Sequence, residues 1–265
     1  SVVSIYNTAL DLKDCLAIGI SQSGRAADVS SFIKQAGKSG AATLALTNDP
    51  DSPLADSAQN TIPLHAGPEK AVAATKTFTA SMAALLLLAA SMGPREDMLP
   101  ALEALPQIVE KAVEGTKDNL QKVERFRYLR ECVVLGRAFN MSIAYELALK
   151  LRETSYLRAQ PFASPDFLHG PIAIVREGYP VIAIANRGPA LKSVLDVVKD
   201  AQSRGAEAVI IGNSPEALEM ADVSFPVNEG EDIPEISSPF PSVVAGQLFA
   251  HSLALLKGHD PDKPA

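Results

Sequence analysis

The sequence predicts an α/β fold made of two tandem, doubly wound parallel-sheet domains. Three observations carry that prediction. One strand–helix–strand–helix–strand block occurs twice in the 265 residues, its strands are almost wholly apolar, and its connections are short. Strands that are apolar on both faces and separated by helices belong to a parallel sheet covered on both sides. Two such blocks in series give two doubly wound units of similar build.

The first copy opens with the strand Leu16-Ala17-Ile18-Gly19-Ile20 and breaks into the polar turn Ser21-Gln22-Ser23-Gly24. A helix from about Ala26 to Ala36 follows, then a strand within residues 40–48, then Leu54-Ala55-Asp56 and the short strand Thr61-Ile62-Pro63-Leu64. Thr75-Lys76 begins a long helix whose apolar run, residues 82–90, falls short of the roughly 20 residues that a bilayer requires. It reads as a helix buried on all sides, at a subunit interface. Residues 94–130 are rich in charge, are punctuated by Pro100 and Pro106, and read as a helical linker.

Beyond the linker lie a strand over residues 131–136, a helix over 142–153, the turn Leu168-His169-Gly170-Pro171 and a strand Ile172-Ala173-Ile174-Val175. The second copy then runs Val181-Ile182-Ala183-Ile184-Ala185, a helix over 191–204, a strand within 205–213, Met220-Ala221-Asp222, and Ser224-Phe225-Pro226-Val227. The expected domains are therefore 1–93, a linker 94–130, and 131–265. Nothing like the 131–153 strand and helix precedes Leu16, where only Ser1-Val2-Val3-Ser4-Ile5 has strand character. The first domain is expected to lack an opening strand, its turn and a helix.

The net charge is −7, from 24 Lys plus Arg against 31 Asp plus Glu. That sign argues against nucleic acid or an anionic membrane as partner. A phosphorylated small molecule remains open, because a pocket needs only a few local donors. Cys15 and Cys132 each open an apolar run and read as reduced, packed thiols of a cytoplasmic protein. No secretory signal is visible. With no Gly-x-Gly-x-x-Gly fingerprint, Walker motif or Cys/His cluster, no metal and no cofactor are expected.

Four segments have chemistry in reach. A strand that breaks into Ser21-Gln22-Ser23-Gly24 ahead of a helix aims backbone N–H groups and hydroxyls at an anion. Glu146, Lys150 and Glu153 share one helical face by their spacing. That face reads either as solvated ion pairs or, given Leu147, Leu151, Tyr156 and Phe162 around it, as a helix dropping into a pocket. His169 beside Gly170-Pro171 is suited to proton exchange near neutral pH, or to a plain structural turn. Thr75 reads as a helix cap or as one end of a ligand-touching loop.

Ser21-Gln22-Ser23-Gly24, Ala73-Ala74-Thr75-Lys76-Thr77-Phe78, the 146–153 segment and Leu168-His169-Gly170-Pro171 stand in an order that resembles the double sugar isomerase (SIS) family. The resemblance is to the flavodoxin-like isomerase module of glucosamine-6-phosphate synthases (glutamine–fructose-6-phosphate aminotransferases), and it spans essentially the whole chain. It implies that Ser21, Gln22 and Ser23 hold the phosphate of a hexose 6-phosphate, with the backbone near Val72 and Ala73 facing the sugar. It also implies that Glu153 moves a proton between C1 and C2 beside Lys150, and that His169 opens the ring from the neighbouring subunit of a homodimer with shared active sites.

Three departures qualify the resemblance. The family's helix-start hydroxyl is Ala26 here, and its serine before Thr75 is Ala74. The C-terminal tail that carries the family's Schiff-base lysine is expected where the chain stops, and Lys263 is not at the matching position. No glutaminase domain is expected within these 265 residues. The expected activity is that of a phosphosugar isomerase on fructose 6-phosphate or glucosamine 6-phosphate, in the direction of an isomerising deaminase. The alternatives are the isomerase part of an aminotransferase and a sugar-phosphate sensor without turnover.

Overall fold

The computed structural model describes residues 8, 10–71, 73–93 and 98–263. They fall into two compact units, Ser1–Lys70 with Ala74–Glu96, and Ala71–Ala73 with Asp97–Ala265. Both are built on all-parallel sheets.

The first unit has three strands in the order β1 (Leu16–Ser21), β2 (Ala42–Thr47), β3 (Asn60–Pro63). Helices α1 (Ala27–Lys38) and α2 (Pro53–Ser57) cover one face, where Ile33, Ala36 and Leu54 pack on Ala17 and Ala45. On the other face, Ala80, Ala84 and Leu88 of α3 (Lys76–Met92) meet Leu44, Leu46 and Leu64. That contact uses one stripe at i, i+4 and i+8. Within this chain, then, α3 is buried on one face, and burial of its other faces rests on the expected subunit interface. Among its described residues only Thr77 and Leu86 are fully buried, while Leu85, Leu87 and Met92 are exposed. A helix lying on a sheet spends one face on it, so the exposed Leu85, Leu87 and Met92 belong to the faces turned away from this sheet.

In the second unit the strand order is β5 (Arg158–Ala163), β4 (Glu131–Gly136), β6 (Tyr179–Ile184), β7 (Ala206–Gly212), β8 (Val223–Pro226). One face packs on α7 (Leu191–Ser203) and on Phe167 of the short α6 (Ser164–Leu168). The other face carries α5 (Asn140–Ser155) and α9 (Pro239–Leu256), which pack along each other. By length and composition α9 alone among the described helices is apolar enough to cross a membrane, and 61% of it is buried.

The segment read as a linker does not hang free. Helix α4 (Met98–Lys117) and the 3-10 turn Leu120–Phe126 pack on α9, with Phe126 and Phe249 ring centroids 5.7 Å apart. Lys122 donates to the Ser224 carbonyl at 2.8 Å.

The repeat is visible in detail. Ser52 and Ser214 each cap a short helix, α2 and α8 (Pro215–Met220), by accepting from the N–H three residues on, at 3.4 Å in both cases. In sequence order β6, β7 and β8 answer to β1, β2 and β3. Beside β1 no described strand takes the place that β4 holds beside β6, and Leu16 and Ile20 are exposed along that edge. The strand expected within residues 1–5 lies outside the described residues.

Two further expectations are corrected. Residues 172–175 are not a strand, because Pro171–Ile174 forms a 3-10 turn behind Gly170. The fourth neighbour in the sheet is β5, which contains Pro161 and sits at the sheet edge, where a missing N–H is tolerated. Both cysteines are free, yet only Cys132 is packed; burial pushes its thiol up to about 12, while Cys15 is exposed.

Candidate functional site

The polar turn after β1 is held from behind and open in front. The Gln22 carbonyl accepts from the Asn48 N–H at 3.0 Å and from the buried Thr47 hydroxyl at 3.3 Å. The Arg25 N–H reaches Ser23 Oγ at 3.4 Å, and the Arg25 guanidinium pairs with Asp49 at 3.4 Å. Among the described residues, the Ser21 hydroxyl and the Gln22 amide have no side-chain partner. They are free donors at the carboxyl end of a parallel strand, ahead of a helix N-terminus.

Gly24 fixes the bend. Its φ of +63° suits glycine, and a Cβ there would stand 2.0 Å from Ser52 Oγ. Helix α1 then follows from its N-cap Ala26, which is extended and offers no side-chain cap, so one orphan N–H of the first turn lacks the usual hydroxyl.

The loop between β3 and α3 is pinned to this turn. Asn48 donates to the Gly67 carbonyl at 2.7 Å and accepts from the Ala66 N–H at 2.9 Å. Thr75 does not cap α3 through its side chain. Glu69 takes that place, accepting from the Thr77 N–H at 2.9 Å and the Thr77 hydroxyl at 2.8 Å. Burial raises the Glu69 carboxyl, but these hydrogen bonds and nearby Lys76 outweigh it and leave the group below its ordinary value. Ala73 is buried, and Val72 lies outside the described residues.

In the second unit, α5 starts from a tight strand-to-helix junction. At Gly136 an added Cβ would meet the Asn140 carbonyl oxygen at 2.4 Å. The helix brings Glu146, Lys150 and Glu153 together. Lys150, only 5% exposed, has its ammonium 2.9 Å from Glu153 Oε2 and 3.7 Å from Glu146 Oε1. Glu146 is also 5% exposed and accepts from Gln247 of α9 at 3.2 Å. Burial raises its carboxyl, and the Lys150 charge and the Gln247 hydrogen bond offset this only in part. The Glu153 side chain is 36% exposed. The cluster is thus a sealed Lys–Glu pair that presents one accessible carboxylate, and not a solvated face.

His169 stands elsewhere. It caps α6, just past the carboxyl end of β5, is exposed, and its ring has no hydrogen-bond partner among the described residues. Glu153 lies shortly before the amino end of the same strand. A six-residue strand spans roughly 20 Å, so one chain does not bring these two side chains together.

Two supporting groups escaped the sequence reading. Gln247 is the one polar side chain in Val243-Val244-Ala245-Gly246-Gln247-Leu248-Phe249-Ala250, and that isolation was the available signal. Asn186 stands where the repeat puts Ser21. Its amide donates to Asn140 Oδ1 at 3.0 Å and Ser242 Oγ at 2.9 Å, tying β6 to α5 and α9. The second copy of the anion turn is closed by side chains of α5 and α9. Among the described residues no cluster of His, Cys, Asp and Glu is suited to a metal.

Comparison with known proteins agrees with this architecture. The SIS domain model matches residues 9–91 and 129–257. A glutamine–fructose-6-phosphate aminotransferase (isomerizing) of Thermococcus kodakarensis is 36% identical over 258 residues, covering 94% of this chain. The chain spans only 42% of that relative's length. Among solved structures, a protein assigned as a phosphosugar isomerase from Silicibacter pomeroyi DSS-3 superposes with a TM-score of 0.86 at 32% identity, over 99% of this chain and 78% of that one. The C-terminal domain of the glucosamine–fructose-6-phosphate aminotransferase of Francisella tularensis gives a TM-score of 0.86 at 26% identity, over 95% of this chain and 74% of that one. The free-donor turn on one parallel sheet and the Lys–Glu cluster on the other therefore belong to a known architecture: the chain is a member of the SIS domain family.

Proposed function

We propose that the chain is a phosphosugar isomerase module that interconverts the ketose and aldose forms of a hexose or hexosamine 6-phosphate. The observation that carries this reading is Lys150, nearly sealed from solvent and bound to both Glu146 and Glu153, which leaves one half-exposed carboxylate in a fixed place. Aldose–ketose exchange needs one base that takes a proton from C1 and returns it to C2 across an enediol. Glu153 is that base. Lys150 fixes its position, and Glu146 with Gln247 fixes Lys150. Ser21, Gln22 and Ser23 hold the phosphate through hydroxyl, amide and backbone donors, with the backbone at Val72 and Ala73 facing the sugar.

His169 opens the sugar ring. Its separation from Glu153 within one chain favours a homodimer in which each copy lends His169 to the other. The cytoplasm is the compartment that fits a sugar-phosphate substrate and free thiols. Similarity to aminotransferases, of which the chain spans under half the length, favours the isomerase part of an aminotransferase over a free-standing isomerising deaminase.

Fructose 6-phosphate is incubated with the chain and glucose 6-phosphate is followed by a coupled dehydrogenase assay. Turnover that vanishes in Glu153→Gln supports the reading. Binding of the sugar phosphate without turnover in either protein replaces it with the sensor reading, which the missing hydroxyls at Ala26 and Ala74 favour. Ammonia released from glucosamine 6-phosphate marks the deaminase direction.

A further inference from the structure

A second cleft, of about 750 Å³, opens in the second unit at the amino-terminal ends of β4, β5, β6 and β7. It is remote from the Ser21 turn in the chain and uses none of the residues assigned above. Five cationic side chains and three carboxylates line it, a local excess of positive charge in a chain of net charge −7.

The pairing inside the wall is uneven. Arg176 binds Glu131 at 2.7 Å, and Arg125 binds Glu207. Lys257 donates to the Leu129 and Arg127 carbonyls at 2.7 and 3.1 Å. Arg130 and Arg158 have no ion pair among the described residues. Their backbones are adjacent, the Arg158 N–H donating to the Arg130 carbonyl at 2.9 Å. Glu177 is the remaining carboxylate of the wall without an ion pair.

Ser155, at the end of α5, adds an independent sign. It is 1% exposed, lines the cleft, and its hydroxyl has no hydrogen-bond partner among the described residues. A buried hydroxyl left unsatisfied costs about 1–3 kcal/mol, so such a group calls for a partner. Guanidinium forks with open donors match the oxygen geometry of a phosphate.

We infer that this cleft binds a phosphorylated small molecule, with Arg130 and Arg158 on the phosphate and the Ser155 hydroxyl donating to it. The site shares no residue with the sugar-phosphate turn and stands whether or not the isomerase reading holds.

Inorganic pyrophosphate is the probe, titrated calorimetrically into the 265-residue chain at low salt. The expected result is saturable binding that weakens about tenfold or more in Arg130→Ala/Arg158→Ala, the loss of two charge-assisted contacts. Ser155→Ala is expected to weaken binding while raising Tm, a combination that a purely structural serine does not give. The arginine-dependent binding persists in Ser21→Ala/Ser23→Ala, which removes only binding at the turn. No binding to the folded chain, or binding that survives the arginine variant and disappears in the Ser21/Ser23 variant, overturns the inference.

Discussion

Lys150 donates to Glu153 across one turn of α5 at 2.9 Å while remaining only 5% exposed itself. A cation this enclosed is tolerated because two carboxylates share it. The arrangement turns a pattern of helical charges into a fixed carboxylate, and the first prediction tests it.

Glu153→Gln keeps shape and hydrogen bonding but removes the base. Isomerase turnover is expected to fall by about 10²–10⁴-fold with KM for the sugar phosphate little changed. Unaltered circular dichroism confirms the fold. A variant that retains wild-type turnover removes Glu153 from the mechanism.

Glu146 gives a pH test. Burial raises its carboxyl, so over the window above its ordinary value near 4.5 the folded chain holds more proton than the unfolded one. Stability contributed by this group therefore falls as pH rises through that window. Glu146→Gln removes the penalty and leaves Lys150 paired with Glu153. Its Tm relative to wild type is expected to increase between about pH 4 and about pH 8. A difference that shrinks with pH contradicts the assignment.

Gly24→Ala meets two obstacles, a φ of +63° and Ser52 Oγ at 2.0 Å from the new Cβ. A loss of more than about 2 kcal/mol in urea unfolding is expected, together with weaker sugar-phosphate binding. Gly67→Ala is the control. It shares a positive φ, +69°, but its Cβ meets nothing within 4 Å, so only the backbone strain of about 1–2 kcal/mol remains.

Ala26→Ser restores a hydroxyl at an extended N-cap that has none. The expected gain is about 1 kcal/mol of stability and tighter binding of hexose 6-phosphate, read by Tm and by calorimetry. An unchanged affinity separates the cap from the anion site.

Much of this molecule was legible in the residue order. Apolar strands such as Val181-Ile182-Ala183-Ile184, repeated blocks and a polar turn after Ile20 specify parallel sheets covered by helices, because each element's period and composition is local information. The spacing of Glu146, Lys150 and Glu153 likewise specified a shared helical face. What no local pattern contained was which partner each face would meet. The edge strand β5, interrupted by Pro161, drew its identity from β4 beside it. The apolar helix α3 was left half exposed, since only its Ala80–Ala84–Leu88 stripe met a sheet. Glu146 found its second partner in Gln247 of α9, about a hundred residues away, and the second anion turn was closed by Asn140 and Ser242. Burial and hydrogen-bond satisfaction depend on distant segments converging in space, and only the tertiary structure sets that convergence.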